Sequence, residues 1–588
     1  MEFLFRVNQL ISKHAFASAV LLVLAAFAFS LLFFDIHYQT NDDVGMMLWL
    51  RGISIVEKPT VNILFMNIIY ASLLKTLYLW TDKIDWYPLF FLIIVFTSYA
   101  YLSYIVIKYV TSIYIRILYL IAFTGTFILP IVSLQFTIVA GIAGAAGAFG
   151  LLVAEKNVGE KIFASLLLII SSLIRHESFQ LILVMFLPVY VYKLYLYWRK
   201  NNSKVSSLFL PIHLKYNDWL IYIIVILFLN TGLNYYSINE YGSYYQFNVK
   251  RGKIHDYQVL EKVDLQTKAQ ILAQLGWSEN DYYMLGTWFF LNDKLYNVEN
   301  FDKAIQYIPR TKIYQILYFI FNSKNLQAVK KWLFETPLNV FLLFLYAAFI
   351  FHRLCWMNIG MMLFSIIYFV LVYLLIAFFL RVPPLRVYIV MYIAMCLLPF
   401  ATMNSYAIAD DKSLIASNKV KFLLKIALLS TAFYTASIAY KDIQKEILLY
   451  RTTSFTKPLS TAINEFCKTY PNAKLLVSWG EAFPFEAIRP FEDISYMKKI
   501  KIFSLGTSQQ SKEAKELLAS LAISDLYVAI AERNDVFLLL FNSLKLQELN
   551  LYKKYMMDHY QKKIEIKILP NPFEGIKNTT LAKPYVSN

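Results

Sequence analysis

The sequence predicts a polytopic α-helical membrane protein with about 11 transmembrane helices, interfacial helices in its first outer loop and a C-terminal extracytoplasmic α/β domain. Of its 588 residues, 58% are hydrophobic and only 16% are charged, whereas an ordinary globular protein carries roughly 25% charged residues. So few charges exclude a soluble enzyme. High hydrophobicity excludes a disordered chain, and three cysteines exclude a disulfide scaffold.

The chain is also basic, with a formal net charge of +17. A basic chain can bind nucleic acid, but its basic residues then gather in one patch. Here the Lys and Arg residues are distributed between the apolar runs, which is typical of cytoplasmic loops beside anionic lipid. We therefore expect membrane lipid, and no nucleic acid, as a partner.

Eleven apolar runs approach the length of about 20 residues that a helix needs to cross a bilayer. The first is Ala15–Phe34; Arg6 and Lys13 precede it and favour a cytoplasmic N-terminus. No small-residue cleavage site follows, so we interpret it as an uncleaved span. The other runs lie at about 87–107, 117–133, 136–154, 158–174, 178–198, 218–236, 337–351, 356–380, 385–404 and 422–440.

The segment 60–80 is apolar enough to span, but it carries Asn62, Asn67, Ser72 and Lys75. If it lies in the membrane interface, the cytoplasmic loops hold sixteen Lys and Arg and the short outer segments hold seven. If it crosses, fourteen of the sixteen move outside. The positive-inside rule therefore favours an interfacial helix.

This topology describes a multi-pass protein of the cell's inner (plasma) membrane, with a transmembrane domain over 1–440. Its outer loops are 35–86 and 237–336, and the tail 441–588 is an extracytoplasmic domain. The alternation of strands and helices in the tail predicts a small, mostly parallel sheet. The predicted strands are Lys474–Trp479, Asp525–Ala531 and Lys563–Leu569, and the predicted helices are Leu459–Thr469, Ser511–Leu521 and Ser543–Gln561.

Two adjacent acids, Asp42 and Asp43, follow the first span. Thr40 and Asp43 have capping-box spacing, and Gly52 is placed to end a short helix. A cap explains one carboxylate but not two in tandem at the membrane boundary. We therefore treat Asp42 and Asp43 as candidate catalytic residues that accept a proton from an acceptor, with Asp42 the expected base and Asp43 the expected cap.

Three ionisable residues, Arg175, His176 and Glu177, interrupt the apolar stretch 164–198 at the predicted outer face. Charged groups at membrane depth indicate function by default, and the guanidinium of Arg175 is suited to a phosphate. The alternative is a tight turn with an internal Arg–Glu pair. Both interpretations stay open, and all three residues are candidate substrate-binding residues.

Two more polar residues are candidates for substrate binding. Gln135 follows Pro130 at the same predicted face, where it lines a polar cavity unless a proline-induced turn accounts for it. Asp281 lies in the aromatic-rich segment 277–301, which is either a sugar- or lipid-contacting surface or an anchor at headgroup level. Farther along the first domain, Gly141, Gly144 and Gly147 permit close helix packing.

The sequence contains no Walker loop, no GxGxxG, no HExxH and no GxSxG motif. Nucleotide-driven transport, nucleotide-sugar transfer of the cytosolic type and zinc proteolysis therefore have no support from motifs.

The order of parts resembles the GT-C superfamily of integral-membrane glycosyltransferases, including bacterial members with an N-D-D motif in the first outer loop. The matching pieces are Asn41–Asp43, Lys58–Pro59, which opens the interfacial segment, and Asn280–Tyr282. The likeness in architecture covers roughly residues 1–440.

The resemblance implies transfer of a sugar from a polyprenyl-phosphate-linked donor to a glycan, lipid or protein acceptor at the outer face. It makes Asp42 or Asp43 the base and Arg175 a partner for the donor phosphate. Some members bind a divalent metal through acids, a role that would fall to Asp35, Asp42 and Asp43, although nothing else in the sequence requires a cofactor.

Other classes stay open. One is a polymerase, ligase or flippase of lipid-linked polysaccharide, and another is a non-enzymatic membrane scaffold that displays the tail. A flippase is expected to carry charges deep within many spans, whereas the predicted spans carry few.

Overall fold

The computed structural model describes residues 2–110, 112–154, 157–200, 240–307, 337–352, 356–380, 382–403 and 457–587, together with isolated positions at 232 and between 316 and 336. Most of the described chain is helical. In chain order the α-helices are α1 (Glu2–Lys13), α2 (Ala15–Phe33), α3 (Asn41–Leu50), α4 (Ile68–Trp80), α5 (Trp86–Tyr109), α6 (Ile113–Val132), α7 (Phe136–Val153), α8 (Val158–Ile174), α9 (His176–Lys200), α10 (Glu240–Ile254), α11 (Leu265–Leu275), α12 (Glu279–Gly286), α13 (Val298–Gln306), α14 (Pro337–His352), α15 (Trp356–Phe379), α16 (Leu385–Met403), α17 (Leu459–Thr469), α18 (Lys512–Ser520), α19 (Leu526–Glu532) and α20 (Lys545–Tyr560).

The C-terminal part contains a five-stranded mixed sheet. Its strands are β1 (Leu475–Trp479), β2 (Lys501–Leu505), β3 (Val536–Phe541), β4 (Ile564–Leu569) and β5 (Thr579–Val586). The spatial order is β2-β1-β3-β5-β4. Strand β1 pairs in parallel with β2 and β3, and β5 pairs antiparallel with β3 and β4.

The chain divides into two compact units. The first comprises Met1–Ile36, Pro88–Asn230 and Lys312–Tyr450, and the second comprises His37–Tyr87, Thr231–Thr311 and Arg451–Asn588. The second unit thus gathers three segments that are far apart in the sequence. Each of them overlaps one of the pieces that the topology predicts to lie outside the membrane.

The first unit is a bundle of apolar helices. Five helices of the described residues are long and apolar enough to cross a membrane: α2, α5, α6, α7 and the stretch Ile359–Phe379 of α15. Shorter apolar helices follow at Leu338–Ile350 and Leu385–Ala401. These helices indicate membrane association. The number of eleven spans stays a prediction, and the runs 218–236 and 422–440 fall almost entirely outside the described residues.

Helix α7 lies at the centre of this bundle, where it packs against α8, α9 and α16. Its glycines permit the close approach. A Cβ on Gly141 would lie 2.4 Å from a methyl group of Val390 in α16, and one on Gly147 would lie 2.6 Å from the carbonyl oxygen of Ala164 in α8. The predicted close packing through the glycine series is therefore confirmed.

Polar side chains fix the end of the bundle that holds the loop between α5 and α6. The buried guanidinium of Arg116 donates to the carbonyl oxygens of Val110 (2.6 Å) and Ile107 (2.5 Å), which satisfies the end of α5. It also donates to the side-chain oxygen of Asn8 in α1. Since unpaired carbonyls at a helix end are costly when buried, this arginine has a clear structural role.

The second unit is held together by hydrogen bonds between its three segments. Thr60 and Asn62 of the first segment both donate to the Glu513 carboxylate of the third, each at 2.5 Å. Tyr244 of the second segment donates to the carbonyl oxygen of Thr507, at 3.2 Å. His559 of α20 lies 2.8 Å from Asp281. These contacts join the two loops and the tail into one structure.

Helix α4 belongs to this second unit and has 13 residues. At 1.5 Å per residue it is about 20 Å long, less than the roughly 30 Å of a bilayer core. The side chain of Asn67 caps its first turn by accepting from the backbone of Ile69 at 2.9 Å. The early part of the segment 60–80 is therefore not helical, because the helix begins only at Ile68.

The tail differs from prediction in several elements. Strands β1 and β4 and helices α17, α18 and α20 lie where predicted, with shifts of up to two residues at their ends. The predicted strand Asp525–Ala531 is wrong: this run forms helix α19, because the Asp525 carboxylate caps it by accepting from the backbone of Tyr527 and Val528. The adjacent run Val536–Phe541 is the buried strand β3 instead, and the sheet is evenly mixed rather than mostly parallel.

Candidate functional site

The tandem acids lie in the first turn of helix α3, which begins at Asn41 and ends at Leu50. Gly52 ends this helix as predicted. Its φ of +71° is the left-handed conformation that glycine adopts most easily. The backbone N–H of Ile53 donates to the carbonyl oxygen of Leu48 (2.9 Å), and the N–H of Gly52 donates to the carbonyl oxygen of Trp49 (3.1 Å). These two bonds form a Schellman motif.

Asp43 is fully buried, and two hydroxyl groups hold its carboxylate. Thr40 Oγ1 donates to Oδ2 at 2.7 Å, and Tyr87 Oη donates to Oδ1 at 3.0 Å. The predicted capping box is wrong in its first half, since the Thr40 hydroxyl binds the Asp43 carboxylate and makes no cap to the helix backbone. Asp43 therefore ties the start of α3 to the start of α5.

Asp42, in contrast, lines a cavity of about 240 Å³, named here the Asp42 cavity. All of its lining residues belong to the second unit. They are Asn41, Asp42, Gly45, Met46, Leu48, Trp49, Ser54, Ile55, Ile63, Leu64, Phe65, Tyr244, Trp288, Gly480, Glu481, Phe485, Ser504, Leu505, Gly506, Thr507 and Ser508.

The cavity lies where the parallel strands β1 and β2 end. Gly480 and Glu481 follow directly after β1, and Gly506–Ser508 follow directly after β2. Open α/β sheets bind their ligands in the crevice outside the carboxyl ends of the strands. Helix α3 forms another wall along most of its length, from Asn41 to Trp49. Asp42 lies in its first turn, the end of the helix that carries a partial positive charge.

Two residues that line this cavity have a strained backbone conformation. Among the described residues, six that are not glycine have positive φ, and two of them, Ser54 (+77°) and Trp288 (+70°), line the Asp42 cavity. Gly480, another lining residue, has φ of +55°. A bulky residue in this region is a real outlier, and strained residues persist at functional sites where the surroundings fix them.

The second acid of the cavity, Glu481, was not predicted from the sequence. It lies in the stretch Trp479–Phe491, which is rich in aromatic residues but carries no known catalytic spacing. The signal was its position, since an acid directly after the predicted strand Lys474–Trp479 lies at the edge where such sheets bind ligands. Its indole neighbour Trp479 donates to the carbonyl oxygen of Thr287 at 2.7 Å, which fixes the end of β1.

Asp281 lies in the first turn of α12, 1% exposed, and completes a capping box with Ser278. Its Oδ2 accepts from the Ser278 backbone and hydroxyl, both at 2.8 Å, and its Oδ1 lies 2.8 Å from His559 Nε2. These contacts give Asp281 a structural role that the sequence did not predict.

The remaining predicted residues belong to the first unit. Arg175 ends α8 and pairs with Glu177 at 3.0 Å, as in the turn interpretation, and its guanidinium lies over the Phe136 ring at 5.3 Å. His176 lies 3.1 Å from both Ser172 Oγ and Gln180 Nε2. Gln135 caps α7 by accepting from the backbone of Ile138, at 3.0 Å. Pro130 lies inside helix α6 and does not break it, since α6 continues to Val132.

Metal binding has no geometric support at the tandem acids. Within the described ranges, no group of three or more His, Cys, Asp or Glu side chains is arranged to hold a metal ion. The Asp43 carboxylate is moreover engaged by Thr40 and Tyr87.

Comparison with protein-family models and with curated protein sequences finds no match to this chain.

Proposed function

We propose that this protein is a membrane glycosyltransferase that moves a sugar from a polyprenyl-phosphate-linked donor to a glycan, lipid or protein acceptor at the outer face of the plasma membrane. The observation that carries the proposal is the division between the two tandem acids. Asp42 lines a cavity at the ligand-binding edge of a sheet, whereas Asp43 is buried and bound by two hydroxyls.

In this proposal, Asp42 is the base. Its carboxylate takes the proton from the acceptor hydroxyl while the acceptor oxygen forms a bond to the anomeric carbon of the donor sugar. The bond between that carbon and the phosphate oxygen breaks, and the polyprenyl phosphate leaves with the electron pair. The cavity volume of about 240 Å³ is slightly below the roughly 300–1,000 Å³ of sites for drug-sized ligands, which suits a smaller group such as one sugar ring.

The arrangement of the chain supports an outer-face reaction. The two outer loops and the tail contribute to one compact unit, and this unit contains the whole lining of the Asp42 cavity. Hydrogen bonds join the three segments within this unit, so we infer that the three segments share one side of the membrane. With the predicted cytoplasmic N-terminus and one predicted span before residue 37, we infer that this is the outer side.

The test is a transfer assay with the purified full-length protein. The donors are a panel of polyprenyl-phosphate monosaccharides, and the measured quantity is release of polyprenyl phosphate together with glycosylated acceptor. We expect turnover with at least one of these donors. Turnover only with lipid-diphosphate oligosaccharides would indicate a polymerase or ligase. Movement of lipid-linked glycan across liposomes without transfer would indicate a flippase, and binding without turnover would indicate a scaffold.

A further inference from the structure

We propose that Trp288 is the platform on which the sugar ring stacks inside the Asp42 cavity, and that the cavity recognises the neutral ring of the donor or acceptor rather than its phosphate. This inference rests on the proposed function for the identity of the ligand as a glycoside. The geometry that carries it is independent of the transfer reaction.

The backbone of Trp288 is held in its strained conformation by the tail. The buried amide of Gln509 donates to the carbonyl oxygen of Trp288 at 2.5 Å and accepts from the backbone N–H of Phe290 at 3.2 Å. The Gln509 side chain therefore fixes the backbone before and after Phe289. The Tyr527 hydroxyl adds a second clamp, donating to the Phe289 carbonyl (3.2 Å) and accepting from the Leu291 N–H (3.1 Å).

Two side chains of α10 and the turn after it support the indole from one side. The guanidinium of Arg251 lies 4.8 Å from the indole centroid, and the His255 ring lies 4.0 Å from it. Because Arg251 Nη1 and His255 Nδ1 are only 3.4 Å apart, both lie on the same side of the indole. Trp288 is only partly buried and lines the Asp42 cavity, so the cavity adjoins the part of the indole that Arg251 and His255 leave open.

The supporting arginine is itself fixed. The Arg251 side chain is 2% exposed and forms a two-pronged ion pair with Asp256, at 3.0 and 3.2 Å. Such paired contacts give directional, charge-assisted bonds. A rigid, prepared ring reduces the entropy that is lost when a ligand binds.

The charges of the lining indicate which part of the ligand enters. The described lining contains two carboxylates, Asp42 and Glu481, and no Lys, Arg or His. A phosphate would meet like charge there, whereas hydroxyl groups at the rim of a sugar ring donate to carboxylates. The C–H groups on the flat face of a pyranose suit the negative face of an aromatic ring.

The experiment measures ligand binding to the purified full-length protein by saturation-transfer NMR and by titration. The probes are methyl hexopyranosides, the matching open-chain alditols, which have hydroxyls but no ring face, and polyprenyl phosphate without sugar. The variants are Trp288→Met, which removes the ring, and Trp288→Phe, which keeps a smaller one. Tyr283→Leu is the control, since it removes an exposed aromatic ring from the nearby helix α12.

We expect the wild type to bind at least one pyranoside better than its alditol. The Met variant should weaken binding about tenfold and the Phe variant about twofold to threefold, while the Tyr283 control stays at the wild-type value. Thermal unfolding verifies that each variant is folded. If the Met variant does not fold, the Phe variant decides.

The inference would be overturned by no pyranoside binding by the wild type, by equal binding of alditol and pyranoside, or by unchanged pyranoside binding by the folded Trp288 variants. Tighter binding of sugar-free polyprenyl phosphate that competes for the same site would also overturn it. Failure of the proposed function is distinguishable, because Trp288-dependent ring binding without transfer from any donor would leave the platform in place and reject the enzyme.

Discussion

At the scale of single residues, burial separates two carboxylates that are adjacent in the sequence. The Asp43 side chain is enclosed, and it accepts from hydroxyls of Thr40 and Tyr87. The Asp42 side chain is at the surface of a cavity beside the first turn of α3. Different roles follow, since a satisfied buried carboxylate contributes to stability, whereas one that lines a cavity is placed to meet a ligand.

The first prediction concerns Asp43. Asp43→Ala leaves the hydroxyls of Thr40 and Tyr87 without their acceptor, which costs about 1–3 kcal/mol for each buried group left unsatisfied. We expect a lower free energy of unfolding, measured by thermal or denaturant unfolding of the purified protein. Tyr87→Phe should be destabilising too, and the double variant should lose less than the two single losses together. Full additivity would show that the two side chains do not interact.

At the scale of elements, glycine positions decide how closely the helices of the first unit pack. Gly147→Ala places a methyl group 2.6 Å from the backbone carbonyl oxygen of Ala164, which cannot move without displacing α8. We expect a clear fall in melting temperature from overpacking. The matched control is Gly360→Ala in α15, where a Cβ meets nothing within 4 Å and a better helix former is expected to be neutral or stabilising. Equal effects of both changes would contradict this account.

A buried acid in α20 makes the stability of the tail depend on pH. Glu548 is 4% exposed, and its Oε2 has no hydrogen-bond partner among the described residues. Burial raises the pKa of Glu548 to about 7. In the folded state it therefore binds a proton more tightly than in the unfolded state, and the protein loses stability as pH rises from about 4.5 to about 7.

The third prediction follows from the raised pKa of Glu548. Glu548→Met removes the buried charge and keeps an apolar side chain of similar length in the helix. We expect a higher melting temperature than wild type at pH 8, by the equivalent of about 3 kcal/mol at most, and a much smaller difference near pH 4.5. A difference that does not change with pH would show that Glu548 is not buried as a charged group in the folded protein.

Elements with a repeating pattern or a clear cap could be predicted from the sequence, and isolated apolar runs could not. Helix α17 and strand β1 follow the hydrophobic patterns of their sequences. The end of α3 at Gly52 was predictable because glycine easily adopts the left-handed conformation found at helix ends. The runs 525–531 and 536–541 are both short and apolar, so periodicity cannot distinguish helix from strand. Only the cap from Asp525 and pairing in the sheet decide.

The candidate site was less predictable because most of it is assembled from distant segments. The sequence indicated the tandem acids, but one of the two hydroxyls that bind Asp43 comes from the distant Tyr87. Asp42, Trp288 and Glu481 line one cavity only after three segments fold together. The sequence around Asp281 could not show that the imidazole of His559 in α20 lies beside the Asp281 carboxylate.

For the whole molecule, the membrane topology is limited by the fact that three separate segments form the second unit. We expect a compact unit to lie on one side of the membrane, in which case the chain crosses an even number of times between residues 87 and 231, and again between 311 and 451. The predicted runs give six and four crossings in these intervals. A spanning segment at 60–80 would divide the first segment between two sides, so this expectation agrees with the predicted interfacial helix.

The fourth prediction tests that arrangement with single cysteines. In a background where the three native cysteines are replaced by serine, Lys83→Cys, Lys294→Cys and Lys554→Cys place one thiol in each segment of the second unit, all at exposed positions. All three should react with a membrane-impermeant maleimide on intact cells. Val158→Cys, 61% exposed and predicted to be cytoplasmic, should react only after permeabilisation. Opposite labelling of any two of the three segments would reject the shared side.

We propose that Asp42 is the catalytic base, and the turnover of Asp42→Asn with a donor that the wild type uses tests this role. Asn keeps the size and hydrogen bonding of the side chain but does not accept a proton at neutral pH. Loss of a general base lowers the rate roughly 10²–10⁴-fold, so we predict a loss of that size in kcat with a melting temperature near that of wild type. Near-normal turnover by a folded Asp42→Asn protein would contradict the account.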